Sequence, residues 1–278
     1  MTSRSARQQV ASVALRRLCT CLTFAGLSSG CAPELIVGTW TCPPPRAASG
    51  SDGGAAASSD KTVDVPWTTG FEEGFCDYAR AAGICYSSPD ASYTIVAAPV
   101  HGGRSAAAFF VTADSARNGT QARCYREGAL PQAAVYGAWF YVPSLADNQG
   151  NWNLMHFQGG VPGSLHNLWD ISLGNAADGS LSLYMVDFLH RNFVRASGDA
   201  ALSIPIGSWF HVELELRRAP DATGEVALYQ DGTLLLQRTA TATDDSDFAQ
   251  WYVGNFVDAL SPTDSAVYVD DVSIVALP

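Results

Sequence analysis

Positive charge is scarce in this chain of 278 residues, which holds one lysine, Lys61, and only 16 basic residues in all against 27 acidic ones. Four of the basic residues, Arg4, Arg7, Arg16 and Arg17, sit at the extreme N-terminus. From residue 32 onward 12 basic residues therefore face 27 acidic ones, a net charge of −15. Such a body repels the phosphates of nucleic acid, so nucleic acid is excluded as a partner. It is also a poor general attractor of acidic polymers, and any anion site has to be built from arginines placed one by one. No Cys-x-x-Cys pair is present, which removes the common zinc spacing. Sustained helical periodicity is absent as well, and this excludes a helix-rich fold.

The single apolar run near the start, residues 18–27, is too short to span a bilayer. With arginines before it and Ser28, Ser29, Gly30 and Cys31 after it, it reads as a secretory signal. Leu27-Ser28-Ser29-Gly30-Cys31 resembles a lipoprotein cleavage box, with Ser28 where a leucine is usual. That resemblance implies export and a lipid anchor on Cys31 as the only membrane contact, at an outer membrane or cell surface. Ordinary signal cleavage and secretion is the alternative. Of the seven cysteines, Cys19 and Cys21 belong to the signal and Cys31 to the anchor, leaving Cys42, Cys76, Cys85 and Cys124. Four thiols in an exported chain predict two disulfides. Three pairings exist, and Cys76 with Cys85, which bracket a short segment, is the expected one.

Residues 43–61 hold no aromatic or large aliphatic side chain and read as a flexible stretch, so 32–63 is assigned as a tether. An apolar island at 35–40 interrupts it. From residue 64 to 278 a dozen runs rich in Val, Tyr, Phe and Trp alternate with Gly, Pro, Asn and Asp clusters. They cover 93–97, 106–111, 122–127, 134–142, 152–158, 168–173, 181–188, 209–217, 225–229, 233–238, 251–255 and 267–275. Many short strands with such punctuation predict one all-β domain, a two-sheet antiparallel sandwich. His211-Val212-Glu213-Leu214-Glu215-Leu216-Arg217 alternates strictly, as a strand does with one dry and one wet face. Asp231-Gly232 between two runs is hairpin-turn chemistry.

Trp209 and Glu213 together with Tyr229-x-Asp231-Gly232 resemble the paired strands of concanavalin A-like jelly rolls. Gly70-Phe71-Glu72 near the start and Val269-Asp270-Asp271 near the end resemble the opening and closing strands of carbohydrate-active jelly rolls. The segment 98–106 followed by Arg123-Cys124-Tyr125-Arg126-Glu127 is similar to polysaccharide lyases of the heparin lyase I-like and glucuronan lyase-like group. The resemblance runs from about residue 71 to 275. It implies a polysaccharide partner and a concave sheet that holds it; the chain is expected to act as a monomer.

A uronan lyase must neutralise a sugar carboxylate, remove the neighbouring proton and protonate the leaving oxygen, tasks suited to Arg, Gln, His and Tyr. Strand parity places Arg123, Tyr125 and Glu127 on one face, and Trp152, His156 and Gln158 on one face of another strand. The resemblance then gives Arg123 and Gln158 to the carboxylate, His156 to the base and Tyr125 or Tyr184 to the acid. Glu127, Trp139, Tyr141 and Trp152 are the expected substrate contacts. Arg123 with Glu127 as an ion pair, and the aromatics as core, are the competing structural readings. Glu72, Asp270 and Asp271 are expected to hold one structural calcium ion, or else to stand as solvated strand ends. Glu213 and Glu215 have glycosidase-like spacing but occupy a strand common to non-enzymatic relatives. Two functions follow: an anchored lyase that cleaves a uronic-acid polymer by β-elimination, or a non-catalytic carbohydrate-binding lipoprotein with the same groove.

Overall fold

A computed structural model describes residues 36–37, 42, 63–112, 119–196, 202–244 and 246–278. Residues 1–31, expected to be a signal, and most of 32–63, expected to be a tether, lie outside the described residues. The strands form two antiparallel sheets, a β-sandwich jelly roll, with one five-residue helix, α1 (Cys76–Arg80).

The first sheet has eight strands in the order β1 (Ile36–Val37), β3 (Ile84–Ser87), β6 (Thr120–Gly128), β15 (Phe248–Ser261), β8 (Asp147–Val161), β9 (Ser164–Asn175), β10 (Leu181–Asp187) and β11 (Asn192–Arg195). The second runs β14 (Thr233–Arg238), β13 (Glu225–Gln230), β12 (Trp209–Arg217), β7 (Ala133–Tyr141), β16 (Asp264–Ala276), β5 (Ala106–Thr112) and β4 (Ala91–Val96), with the short β2 (Trp67–Thr69) also on β16.

Alternation decides what each strand buries. Phe210, Val212, Leu214 and Leu216 of β12 face inward with Tyr136, Ala138 and Phe140 of β7, all at most 1% exposed. They meet Met155, Phe157, Trp169, Ile171 and Trp251 of the first sheet. Tyr136 bridges the layers, its ring centroid 5.0 Å from Phe157 and 5.1 Å from Trp251. Burying each such side chain contributes about 1.5–3 kcal/mol, which is why the pattern rather than any single residue specifies the sandwich. At the β13–β14 turn Asp231 and Gly232 take φ of 50° and 76°, the left-handed pair a tight two-residue hairpin requires.

One expectation needs correction. The disulfides join Cys42 to Cys76 and Cys85 to Cys124, with Cα separations of 5.4 and 4.0 Å, not Cys76 to Cys85. Cys76 starts α1, and the turn after that helix delivers Cys85 into β3, directly opposite Cys124 of β6. Within 32–63, Ile36 and Val37 of the apolar island pair with Ser87 and Tyr86, and Cys42 is cross-linked to Cys76.

Candidate active site on the outward face of the first sheet

Cross-strand register builds the site, because residues opposite one another on adjacent strands share a face. One row runs Tyr125, Tyr252, His156, Asp170, Val186, Phe193 across β6, β15, β8, β9, β10 and β11. A neighbouring row runs Glu127, Gln250, Gln158, Asn167. On the other side lie Tyr86, Arg123 and Gly254, then Ser172, Tyr184 and Arg195. A groove of about 410 Å³ is lined by Arg123, His156, Gln158, Asp170 and Tyr252, among others.

His156 is 8% exposed, and its Nδ1 meets Asp170 Oδ1 in a short contact. An ionised carboxylate only accepts, so Nδ1 carries the proton and Nε2 is left as the acceptor. Asn151 Nδ2 donates to Asp170 Oδ2 at 3.4 Å and holds the carboxylate from the other side.

Tyr252 stands beside His156, with ring centroids 5.2 Å apart. Its hydroxyl lies between the side-chain amides of Gln158, at 3.0 Å, and Gln250. Gln250 Nε2 in turn donates to Glu127 at 3.0 Å. Burial holds the Tyr252 phenol well above the ordinary tyrosine range, with Tyr86 adding to the effect and Arg123 opposing it. Burial, followed by the Glu127 charge, pushes Tyr125 up to about 12. Both phenols therefore keep their protons at neutral pH.

Arg123 is 6% exposed and its Nε has no hydrogen-bond partner among the described residues. Its guanidinium lies over Phe256 at 4.4 Å and near Tyr252 at 5.6 Å, held by rings rather than by a carboxylate. Gly254 lets β15 approach the backbone of β6 at this point: its φ is 142°, and a Cβ there would stand 2.5 Å from Ala122 O and 2.8 Å from Arg123 Cα. An arginine this buried without an anion is costly unless an anion arrives.

The structure thus brings Arg123, Tyr125, Glu127, His156 and Gln158 to one face, and it separates the others. Trp152 is in the core, 1% exposed, its Nε1 donating to Asn255 Oδ1 at 3.0 Å. A bulge between Asn153 and Met155 inserts one residue and reverses parity between Trp152 and His156. Trp139 and Tyr141 point outward from β7, which belongs to the second sheet, and so lie on the opposite side of the sandwich. Tyr184 sits two strands from His156, its hydroxyl 3.4 Å from Asn151 Oδ1. Tyr252, Asp170 and Asn151 were not anticipated. Tyr252 had a signal, since Gln250-Trp251-Tyr252-Val253 alternates as Met155-His156-Phe157-Gln158 does.

Glu72, Asp270 and Asp271 gather on the second sheet around the loop at 101–105. Glu72 Oε1 accepts N–H bonds from Arg104 and Ser105 at 2.6 and 3.0 Å, and Asp270 Oδ2 from His101 and Gly102 at 3.0 and 3.2 Å. Asp271 Oδ2 meets His101 Nδ1 at 2.7 Å. Donors already occupy these oxygens, and among the described residues no group of three or more His, Cys, Asp or Glu is arranged to hold a metal ion. These hydrogen bonds clamp the loop at 101–105.

No family model and no curated protein matches the chain. Solved structures do. An endo-β-1,4-glucuronan lyase from the fungus Trichoderma reesei superposes with a TM-score of 0.51 at 19% identity, covering 67% of this chain and 87% of that one. The marine PL-14 alginate lyase from Aplysia kurodai gives 0.51 at 12% identity, covering 76% and 98%. The cellulose-induced protein Cip1 gives 0.52 at 12%, covering 76% and 97%. This chain shares the jelly-roll fold of these structures. At such identities the likeness establishes the fold, and the chemistry has to be argued from the groove.

Proposed function

We propose that this protein is an exported, lipid-anchored polysaccharide lyase that cleaves a uronic-acid-containing polymer by β-elimination. The observation that carries the reading is the meeting of three groups in one groove: an arginine with no anionic partner among the described residues, a histidine held by a carboxylate, and a buried protonated tyrosine beside it. Structural likeness to a glucuronan lyase and an alginate lyase supports a polysaccharide as partner. Two disulfides support an oxidising, exported location.

In this reading Arg123 and the Gln158 amide bind the uronate carboxylate and lower the cost of charge developing on it. His156 Nε2 takes the proton from C5. The released electron pair forms the C4–C5 double bond, the C4–O bond breaks, and the leaving oxygen receives the Tyr252 proton. No water is consumed; the proton held by His156 returns through solvent to the Tyr252 phenolate. Asp170 keeps the imidazole in the required tautomer and stabilises its charged form.

The test is ultraviolet detection of unsaturated uronate ends after incubation with polyglucuronate, alginate and other acidic polysaccharides. Tyr252→Phe removes only the proton donor and should lower turnover about 10²-fold or more, within the span of general acid catalysis. Absence of unsaturated ends across the panel, with binding retained, would overturn catalysis and leave a carbohydrate-binding protein.

A further inference from the structure

The groove does not end at His156. Of the nine described arginines, Arg80, Arg104 and Arg238 pair with carboxylates, and Arg126 and Arg218 donate to main-chain carbonyls. The side chains of Arg191, Arg217 and Arg195 form no hydrogen bond or ion pair with the described residues, and Arg195 is at the end of the edge strand β11. It lies instead over the Tyr184 ring at 4.5 Å. Gly174 makes room beneath it, since a Cβ there would stand 2.6 Å from one guanidinium nitrogen and 2.7 Å from the other. Arg123 shares the first part of this construction, its guanidinium also resting on an aromatic ring.

Arg195 faces outward with Phe193, two residues before it, which is 70% exposed with its ring 6.4 Å from Tyr184. A cation and an exposed ring side by side match a sugar that bears a carboxylate: the ring offers a stacking face and the guanidinium a charge-assisted pair. The backbones of Arg195 and Arg123 are five inter-strand steps apart, and their guanidinium groups, against Gly174 of β9 and over Phe256 of β15, are two steps apart, roughly 10 Å at about 4.8 Å per step, farther than one sugar reaches. The two arginines therefore suit two uronates of one chain. The distal pair is also wired to the base, because Tyr184 OH and Ser172 Oγ both donate to Asn151 Oδ1, and Asn151 donates to Asp170.

We propose that Tyr184, Phe193 and Arg195 form a distal subsite that binds a second carboxylate-bearing sugar of the same polymer, so that the protein reads recurring negative charge. This rests on the groove being a uronan site. The experiment compares the parent, Arg195→Ala and Arg195→Lys on sodium alginate and polyglucuronate, both long and cut to trimers. The expected result is a KM raised about 10-fold for long chains in Arg195→Ala, with kcat within 2-fold and the trimer KM unchanged. Arg195→Lys should recover part of the loss, and Phe193→Ala should weaken long chains alone. Equal KM for parent and Arg195→Ala at every length, with cleavage intact, overturns the subsite and leaves the lyase reading standing. If nothing is cleaved, retention on immobilised polyuronate decides: loss in Arg195→Ala upholds the subsite without catalysis, whereas parent-like retention, or no retention of the parent, overturns it.

Discussion

The outward faces of the two sheets are built from similar parts. On the first, His156 meets Asp170 beside Tyr252 and Tyr125. On the second, His211 meets Glu213 at 3.5 Å and His101 meets Asp271 at 2.7 Å, with Trp139 between the two imidazoles. The remaining histidines, His166 and His190, are likewise paired with Asp244 and Asp187. A histidine on a carboxylate is thus the ordinary condition in this acidic chain and marks no site by itself. What separates the faces is the accounting of charge. On the second, Glu72 and Asp270 are answered by main-chain N–H groups of one loop. On the first, the Arg123 and Arg195 side chains rest on aromatic rings, with no carboxylate partner among the described residues.

The sharpest way to break this contrast is to remove one imidazole from each face. His156→Ala should lower turnover by about 10²-fold or more while circular dichroism stays unchanged, the scale of losing a general base. His211→Ala should leave turnover within 2-fold. Equal losses would mean that the faces are coupled and that the groove is not the seat of the chemistry. Arg123→Ala comes next: kcat/KM should fall by about 30-fold or more, the range for losing one partner of a desolvated charge pair, about 2 kcal/mol or above. Arg217→Ala, on β12 of the second sheet, should change it by less than 2-fold.

Much of this was legible in the sequence, and the gaps have definite causes. Period-2 alternation gave the strands and put Arg123, Tyr125 and Glu127 on one face opposite Arg126, as the burial pattern of β6 shows. Parity names a face but not a sheet. Trp139 and Tyr141 do point outward, yet β6 pairs with β15 while β7 pairs with β12 and β16, and that partition is set by contacts distant in sequence. Parity also fails across a bulge, which carried Trp152 into the core. The short β3 and β11 lack a run long enough to show a period, so the Cys85–Cys124 bridge and the edge arginine could not be placed.

A smaller effect should come from the carboxylate clamp. Asp270→Ala leaves the N–H groups of His101, Gly102 and Asp271 without their acceptor. Each group orphaned in a buried setting costs about 1–3 kcal/mol, so Tm should fall by roughly 3–10 °C at this chain size. A chelator should leave Tm unchanged, because the clamp is closed by hydrogen bonds. A fall in Tm with chelator, restored by calcium, would return the metal to this site and show that the loop at 101–105 rearranges to admit it.

The smallest change is expected at Trp139, the residue that by composition alone most resembles a sugar platform. A platform needs one free ring face. Trp139 has its neighbours on both sides: His211 of β12 stacks at 4.9 Å and 17°, and His101, tied to Asp271 of β16, stacks at 3.7 Å and 15°. Since β12 and β16 flank β7 on opposite sides, the two imidazoles cover opposite faces of the indole. A sugar could stack there only by displacing a histidine from its carboxylate. Trp139→Ala should therefore leave affinity for polyuronate, measured by retention or calorimetry, within 2-fold, while Phe193→Ala weakens it. Loss of binding in Trp139→Ala at unchanged Tm would place a second glycan surface on the back of the sandwich and undo the division of labour between its faces.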